Sequence, residues 1–267
     1  MRTLDLQTDK MLAHVDEGVG SIIFNQPEKR NAVSYAMWQA IPEIIKDFNS
    51  SEDVRVVVMS GAGDRAFVSG ADISEFEKLR NTPEQIEIYD AATSASNKAL
   101  RSLEKPLIAM IRGFCVGGGL AISLAADLRI AADDGKFGVP AAKLGLGYGY
   151  AGIKELMNIV GPSYAKEIFF TGQRFNAAEA EMMGLVNRVV PTSELESTVI
   201  SYARTIADNA PLTVKAAKAA VNEGTKNPGE RDLEKIASLV ETCFNSDDYK
   251  EGRRAFMEKR PPRFQGR

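Results

Sequence analysis

An α/β fold, with a largely parallel sheet covered by helices and a helical C-terminal region, follows from three observations on this 267-residue chain. Short apolar runs rich in β-branched residues recur at residues 19–24, 54–59, 106–111 and 128–132. Stretches of helical length separate the later ones, and strands alternating with helices make βαβ units. Beyond Gly152 the pattern turns almost wholly helical.

In chain order, residues 11–15 and 19–24 read as strands joined by the turn Asp16-Glu17-Gly18, a hairpin. Ser34 caps an amphipathic helix that runs to about Phe48. The strand at 54–59 ends at the breaker cluster Ser60-Gly61-Ala62-Gly63. The strand at 106–111 leads straight into a glycine-rich loop, and 128–132 makes a further strand. Helices are expected at 163–170, 177–183, 195–209, 211–222, 231–244 and 249–258, interrupted by one strand at 185–190. The division falls at roughly residue 200, with an α/β core over 1–200 and a helical region over 201–267. No internal repeat or low-complexity tract is evident.

Composition narrows the function. With 44% hydrophobic residues the chain can form one substantial core without disulfides, burying roughly 75% of its unfolded surface at this length. Net charge is −3 from 33 basic and 36 acidic side chains, with no long block of one sign. Neither nucleic acid nor a membrane surface is an expected partner. Cys115, Cys243 and the single histidine, His14, supply neither a familiar structural zinc site nor a disulfide framework. A reducing compartment fits best. The N-terminal segment has no apolar h-region and no run of apolar residues is long enough to span a bilayer, so a cytoplasmic location is expected.

Two segments carry the chemistry: RAFVSGADISEF from Arg65 and GFCVGGGLAIS from Gly113. Each follows a strand and opens toward a helix, near Asp72 or Ile73 in the first and at Gly117-Gly118-Gly119 in the second. Unpaired N–H groups at a helix start favour a polarised oxygen. Two such loops can aim two main-chain donors at one carbonyl, the arrangement that stabilises an oxyanion. Either loop alone is better read as close helix–sheet packing; it is their joint occurrence that points to a site.

With PEKRNAVS at 27–34, FGVP at 137–140 and FMEKR at 256–260, these segments resemble the crotonase superfamily, the enoyl-CoA hydratase/isomerase family, over nearly the whole chain. The resemblance implies a spiral core of ββα units, an acyl-CoA substrate, and oxyanion donors at the N–H groups of Ala71 and Gly118. Bulk at Gly118 is expected to displace those donors. Asp72 and Ile73 fall beside them in the implied substrate site, with Asp72 also suited to capping the loop. Coenzyme A would enter as part of the thioester, with no separate cofactor and no metal. Lys29 and Arg30 match loosely the loop that orders the CoA nucleotide, although solvated loop charges explain them equally well. Lys259 matches a C-terminal lysine lent by a neighbouring subunit, which implies a homotrimer or a hexamer of paired trimers.

The resemblance breaks where hydratases of the family carry two catalytic glutamates, because those positions are Ala121 and Ala141. A methyl group cannot transfer a proton. The segment LGLGYGYAGIKEL is more similar to methylmalonyl-CoA decarboxylases, with Tyr148 on the decarboxylase tyrosine and Tyr150 on the same loop. The decarboxylase histidine position, however, is Ala71. Three readings therefore stand: an enolate-forming enzyme of the family, a decarboxylase-like enzyme using Tyr148, and an acyl-CoA-binding pseudoenzyme. Asp127 is expected to fix a helix-to-strand connection, and Cys115 to be a small buried hydrophobe. Ser69 and Lys143 are nearby polar groups, and His14 lies in the hairpin away from the loops.

Overall fold

In the computed structural model, which describes residues 1–267, the strands sort into two sheets. The chain opens with β1 (Arg2–Thr3), β2 (Met11–Asp16), β3 (Val19–Phe24), α1 (Tyr35–Ser50), β4 (Val56–Gly61) and β5 (Ala66–Val68). Then come α2 (Phe76–Leu79), α3 (Pro83–Ser102), β6 (Leu107–Ile111), β7 (Phe114–Val116), α4 (Gly118–Leu124), β8 (Leu128–Ala132) and β9 (Lys136–Gly138). It continues through α5 (Tyr150–Thr171), β10 (Phe175–Asn176), α6 (Ala177–Met182), β11 (Arg188–Val190) and α7 (Leu195–Asp208). Three helices finish it: α8 (Pro211–Gly224), α9 (Leu233–Asn245) and α10 (Asp247–Glu258).

The larger sheet has the order β1-β2-β3-β4-β6-β8-β11, antiparallel through the β2–β3 hairpin and parallel from β3 onward. The smaller has the order β10-β9-β7-β5, with β5, β7 and β9 parallel. Between β4 and β9 the chain visits the sheets in turn: β4 then β5, β6 then β7, β8 then β9, each pair followed by helix. This is a spiral of ββα turns. Because β5, β7 and β9 run parallel side by side, their C-terminal ends emerge at one edge, and the three segments that follow them share that edge.

The middle strands of the large sheet are covered on both faces, which is why they read as continuous apolar runs. Leu107, Ala109 and Ala131 join the main core of 42 buried residues, while Val56, Ile108 and Ile130 face α7 and its Leu195, Val199 and Ala203. Ser34 does cap α1, its hydroxyl accepting from the Met37 N–H.

Three features differ from the expectations. The small sheet is absent from the sequence reading because its strands have only two or three residues, too short for a period to register. The helix expected at 163–170 is the second half of α5, which begins at Tyr150 and kinks at Gly161-Pro162, where Gly161 has φ 74°. The strand expected at 185–190 shrinks to Arg188–Val190. One long helix, α3, was signalled by a capping box that the reading passed over: Thr82 caps, Pro83 opens, and Gln85 bonds back to the cap.

The division placed near residue 200 falls inside α7. No residue beyond Ala207 enters either core cluster. Polar contacts join the chain beyond α7 to the rest: Lys218 of α8 donates to Asp127 Oδ2 (2.8 Å) and to Lys105 O (2.8 Å), and Arg55 donates to Phe264 O. No helix is long and apolar enough to cross a membrane.

Candidate active site

Two unpaired main-chain N–H groups come together at the edge where the small-sheet strands end. After β5, the Val33 N–H donates to Gly70 O (2.8 Å) and the Asp72 N–H to Val33 O (2.9 Å). This one-residue parallel bridge flanks Ala71 and leaves its own N–H without an acceptor. After β7, the Gly117 N–H donates to Gly138 O (2.9 Å), and Gly118 then opens α4 with its N–H unpaired. A Cβ placed on Gly118 would lie 3.6 Å from the Ala71 nitrogen, so the two donors are neighbours across the gap.

The three glycines of the second loop do different work. Gly117 has φ 56°, a conformation costly for other residues. Gly119 is a packing requirement, since a Cβ there would lie 2.0 Å from Val68 O of β5. Gly118 is neither, because a Cβ would find ordinary contact distances. The expectation that bulk at Gly118 displaces the donors is therefore corrected for small side chains. A methyl there has room, but it fills the space beside the Ala71 N–H.

The first loop is held by buried polar side chains. Asp72 is buried and caps the turn that follows Ala71, its Oδ1 accepting from the Ser74 N–H (3.1 Å) and hydroxyl (2.6 Å). Its Oδ2 accepts from Lys29 Nζ (2.7 Å) and Gln26 Nε2 (3.2 Å). Burial pushes the Asp72 carboxyl up, but the hydrogen bonds from Lys29, Ser74 and Gln26 outweigh it and hold the group below the usual carboxylate range. Asn31, in the left-handed region at φ 55°, donates to Ala62 O and Ala66 O and accepts from the Gln26 N–H. The bracing roles of Gln26 and Asn31 are not signalled by the sequence, because their partners Ala62, Ala66 and Asp72 lie more than thirty residues away or act through the main chain. Lys29 itself is committed to Asp72 and Ser74, and Arg30 stacks on the Phe114 ring at 4.8 Å. Neither is a merely solvated charge.

Ala121 lies on α4 with its N–H bonded to Gly117 O, and Ala141 is buried in the 3₁₀ turn Pro140–Leu144 that follows β9. Neither adds a polar side-chain atom. The Tyr148 ring is half-buried against Phe169 (centroids 5.1 Å apart), and burial pushes its pKa up. At neutral pH it is a neutral phenol, a donor rather than a base. Tyr150 opens α5 with an exposed ring, and Ile73 is exposed as well. Lys259 ends α10 at φ 55° and forms no ion pair, and no hydrogen bond joins it to the two loops within one chain.

The other candidates have these surroundings. Asp127 accepts from the Leu107 N–H (2.7 Å) and from Lys218, so it fixes the entry to β6. Cys115 is fully buried, and burial pushes its thiol up to about 12, far from a thiolate. The Ser69 hydroxyl donates to Lys29 O, Lys143 is exposed, and His14 sits on β2 opposite Ser21. No cluster of three His, Cys, Asp or Glu side chains could hold a metal ion. One carboxylate the sequence reading passed over is Glu155, the first downstream of Ala141, on α5 and paired with Arg101 of α3 (2.6 Å). Burial raises its pKa although Arg101 opposes the shift. Its signal was the helical register counted from Tyr150, hidden while 144–152 read as loop.

The model of the Enoyl-CoA hydratase/isomerase family matches residues 14–267. The chain belongs to that family. It is 34% identical over 255 residues to a short-chain-enoyl-CoA hydratase of Clostridium acetobutylicum, covering 96% of this chain and 97% of the relative. It is also 34% identical over 256 residues to a crotonyl-CoA hydratase of Syntrophomonas wolfei, covering 96% and 98%. Among solved structures, an enoyl-CoA hydratase/carnithine racemase from Magnetospirillum magneticum superimposes with TM-score 0.93 at 32% identity, covering 98% of this chain and 97% of that one. The spiral is thus the crotonase fold, and the chain is an enzyme of the family, matched from residue 14 through the C-terminal helices.

Proposed function

We propose that this enzyme acts on acyl-CoA thioesters by stabilising an enolate, with the N–H groups of Ala71 and Gly118 as the oxyanion donors. The observation that carries this reading is the pair of neighbouring main-chain donors left without acceptors. A thioester carbonyl set between them gains negative charge on oxygen as the α-carbon becomes carbanionic. Preorganised donors then bind the transition state more strongly than the ground state, each worth ~3 kcal/mol. Asp72, braced by Lys29 and Gln26, keeps the Ala71 donor in place. Coenzyme A arrives as part of the substrate.

With Ala121 and Ala141 at the positions the resemblance assigns to glutamates, ordinary hydration lacks its acid and base, each commonly worth ~10²–10⁴-fold. Decarboxylation is the second reading, favoured by the half-buried, neutral Tyr148 phenol packed on Phe169. There the bond from the α-carbon to the leaving carboxylate breaks, its electron pair enters the enolate, and the α-carbon is then protonated. No base is needed. We further propose a cytoplasmic homotrimer or hexamer in which Lys259 reaches a neighbour's CoA; the free thiols of Cys115 and Cys243 support the compartment.

The test offers enoyl-, 3-hydroxyacyl- and malonyl-type CoA esters to the purified protein while product masses are followed. Addition of one water marks hydration, unchanged mass isomerisation, and loss of carbon dioxide decarboxylation. Tight binding of every ester with no turnover marks a pseudoenzyme, and no binding at all overturns the acyl-CoA reading.

A further inference from the structure

Residues 144–150 alternate large side chains with glycine: Leu144, Leu146, Tyr148 and Tyr150 around Gly145, Gly147 and Gly149. The present conformation demands glycine at only one of the three. Gly145 has φ 64°, whereas Gly147 and Gly149 lie outside the left-handed region, and a Cβ on either would meet nothing within 4 Å. Glycine at such positions weakens the conformation seen, through its greater loss of chain entropy.

The side chains agree. Leu144 is 72% exposed, Leu146 51% and Tyr150 75%, while Tyr148 alone is anchored, on Phe169. The main-chain N–H groups of Gly147, Tyr148 and Gly149 have no acceptor. The segment's main-chain hydrogen bonds are at its ends, where the Gly145 and Leu146 N–H groups share Ala141 O and α5 begins, and Tyr148 is its one packed side chain between them. Few internal hydrogen bonds and little buried apolar surface are the physical marks of a segment that opens locally. It also lies beside the site, because β9, which feeds it, accepts through Gly138 O from Gly117, the residue before the Gly118 donor.

We propose that residues 144–150 form a glycine-hinged flap that pivots at Tyr148 and folds Leu146 and Tyr150 onto the acyl chain of the bound thioester, selecting apolar chains of medium length. The proposal rests on the acyl-CoA reading above. Apart from the tyrosine hydroxyls, the segment carries no polar side chain, so a charged acyl tail finds no partner in it. Each large apolar side chain that moves out of water onto the ligand is worth about tenfold in affinity.

The experiment compares hexanoyl-CoA with acetyl-CoA by calorimetry and by amide hydrogen exchange on the intact protein. Hexanoyl-CoA should slow exchange at residues 147–149 by about tenfold, and acetyl-CoA should not. Leu146→Ser and Tyr150→Ser should each lower hexanoyl-CoA affinity by about tenfold and leave acetyl-CoA affinity unchanged. Gly147→Ala with Gly149→Ala, for which the fold has room, should slow hexanoyl-CoA association while circular dichroism stays the same. Hexanoyl-CoA binding with unchanged exchange at 147–149 overturns the flap. So does full protection of these amides before ligand is added, which would make the segment a subunit contact. If acetyl-CoA binds and hexanoyl-CoA does not, the flap alone fails; if neither binds, the acyl-CoA reading fails with it.

Discussion

Gly118 and Gly119 are adjacent in sequence and opposite in tolerance. Gly119→Ala forces a Cβ to within 2.0 Å of Val68 O, a clash with backbone that must move a strand or a helix. It should destabilise the protein by about 1–3 kcal/mol, as overpacking does, which denaturant unfolding would show. Gly118→Ala should keep wild-type stability, because its Cβ meets the Ala71 nitrogen at 3.6 Å, yet that methyl would occupy the space proposed for the oxyanion. Turnover of the best CoA ester should fall by about 10²–10³. Wild-type turnover in Gly118→Ala would place the donors elsewhere. The segments SGADI and VGGGL stand out in the sequence as two loops, and the resemblance points to Gly118, but that Gly119 is a packing requirement was not legible, since it packs on β5, a three-residue strand. Asp72 offers a test by pH. Its folded-state pKa lies below the unfolded value, so the stability it contributes is present above the ordinary aspartate range and is lost as pH falls through the folded-state value. Asp72→Asn should cost about 1–3 kcal/mol at neutral pH, and the gap to wild type should close in acid. A gap that is constant from pH 7 to about 3 would show that the carboxylate does not brace the loop as an anion.

At the scale of elements, the site is the common edge of three parallel strands. β5 leads to Ala71, β7 to Gly118 and β9 to Ala141, and their side-by-side pairing delivers those positions together. The middle of the large sheet was readable because β3, β4, β6 and β8 are five or six residues each, mostly apolar, and β4, β6 and β8 are covered on both faces. The start of α5 was not, because Gly147, Gly149 and Gly152 mask its register. One prediction belongs to these elements. Crotonyl-CoA hydration by the native enzyme should fall well below the ~10² per second of an efficient enzyme. The double variant Ala121→Glu with Ala141→Glu, which returns carboxylates to α4 and to the turn after β9, should raise the rate by ~10² or more. Efficient hydration by the native chain would require another residue to move the proton. Glu155, half-buried on α5 with a raised pKa, would then be the first to replace with Gln.

The whole molecule leaves one face without a partner. Helix α9 has no buried residue, and Val240, Phe244, Phe256 and Met257 are exposed around a groove of about 980 Å³ between the last helices. The sequence shows these helices as amphipathic, but a single chain contains nothing that covers their apolar sides, so what they meet could not be read from it. Exposed apolar side chains gathered along one groove are the kind of surface a partner covers. Self-association would cover it and, in a closed ring, would carry the unpaired Lys259 of one protomer toward the site of the next. Sedimentation at micromolar concentration should therefore give a trimer or hexamer, and the double variant Phe256→Ser, Met257→Ser should shift it toward smaller species. Lys259→Ala should preserve assembly while weakening CoA-ester binding by about tenfold, the loss expected for one charged hydrogen bond to a phosphate. A stable wild-type monomer with full affinity for CoA esters would show that each site is complete within one chain. Lys259 would then have no part in binding.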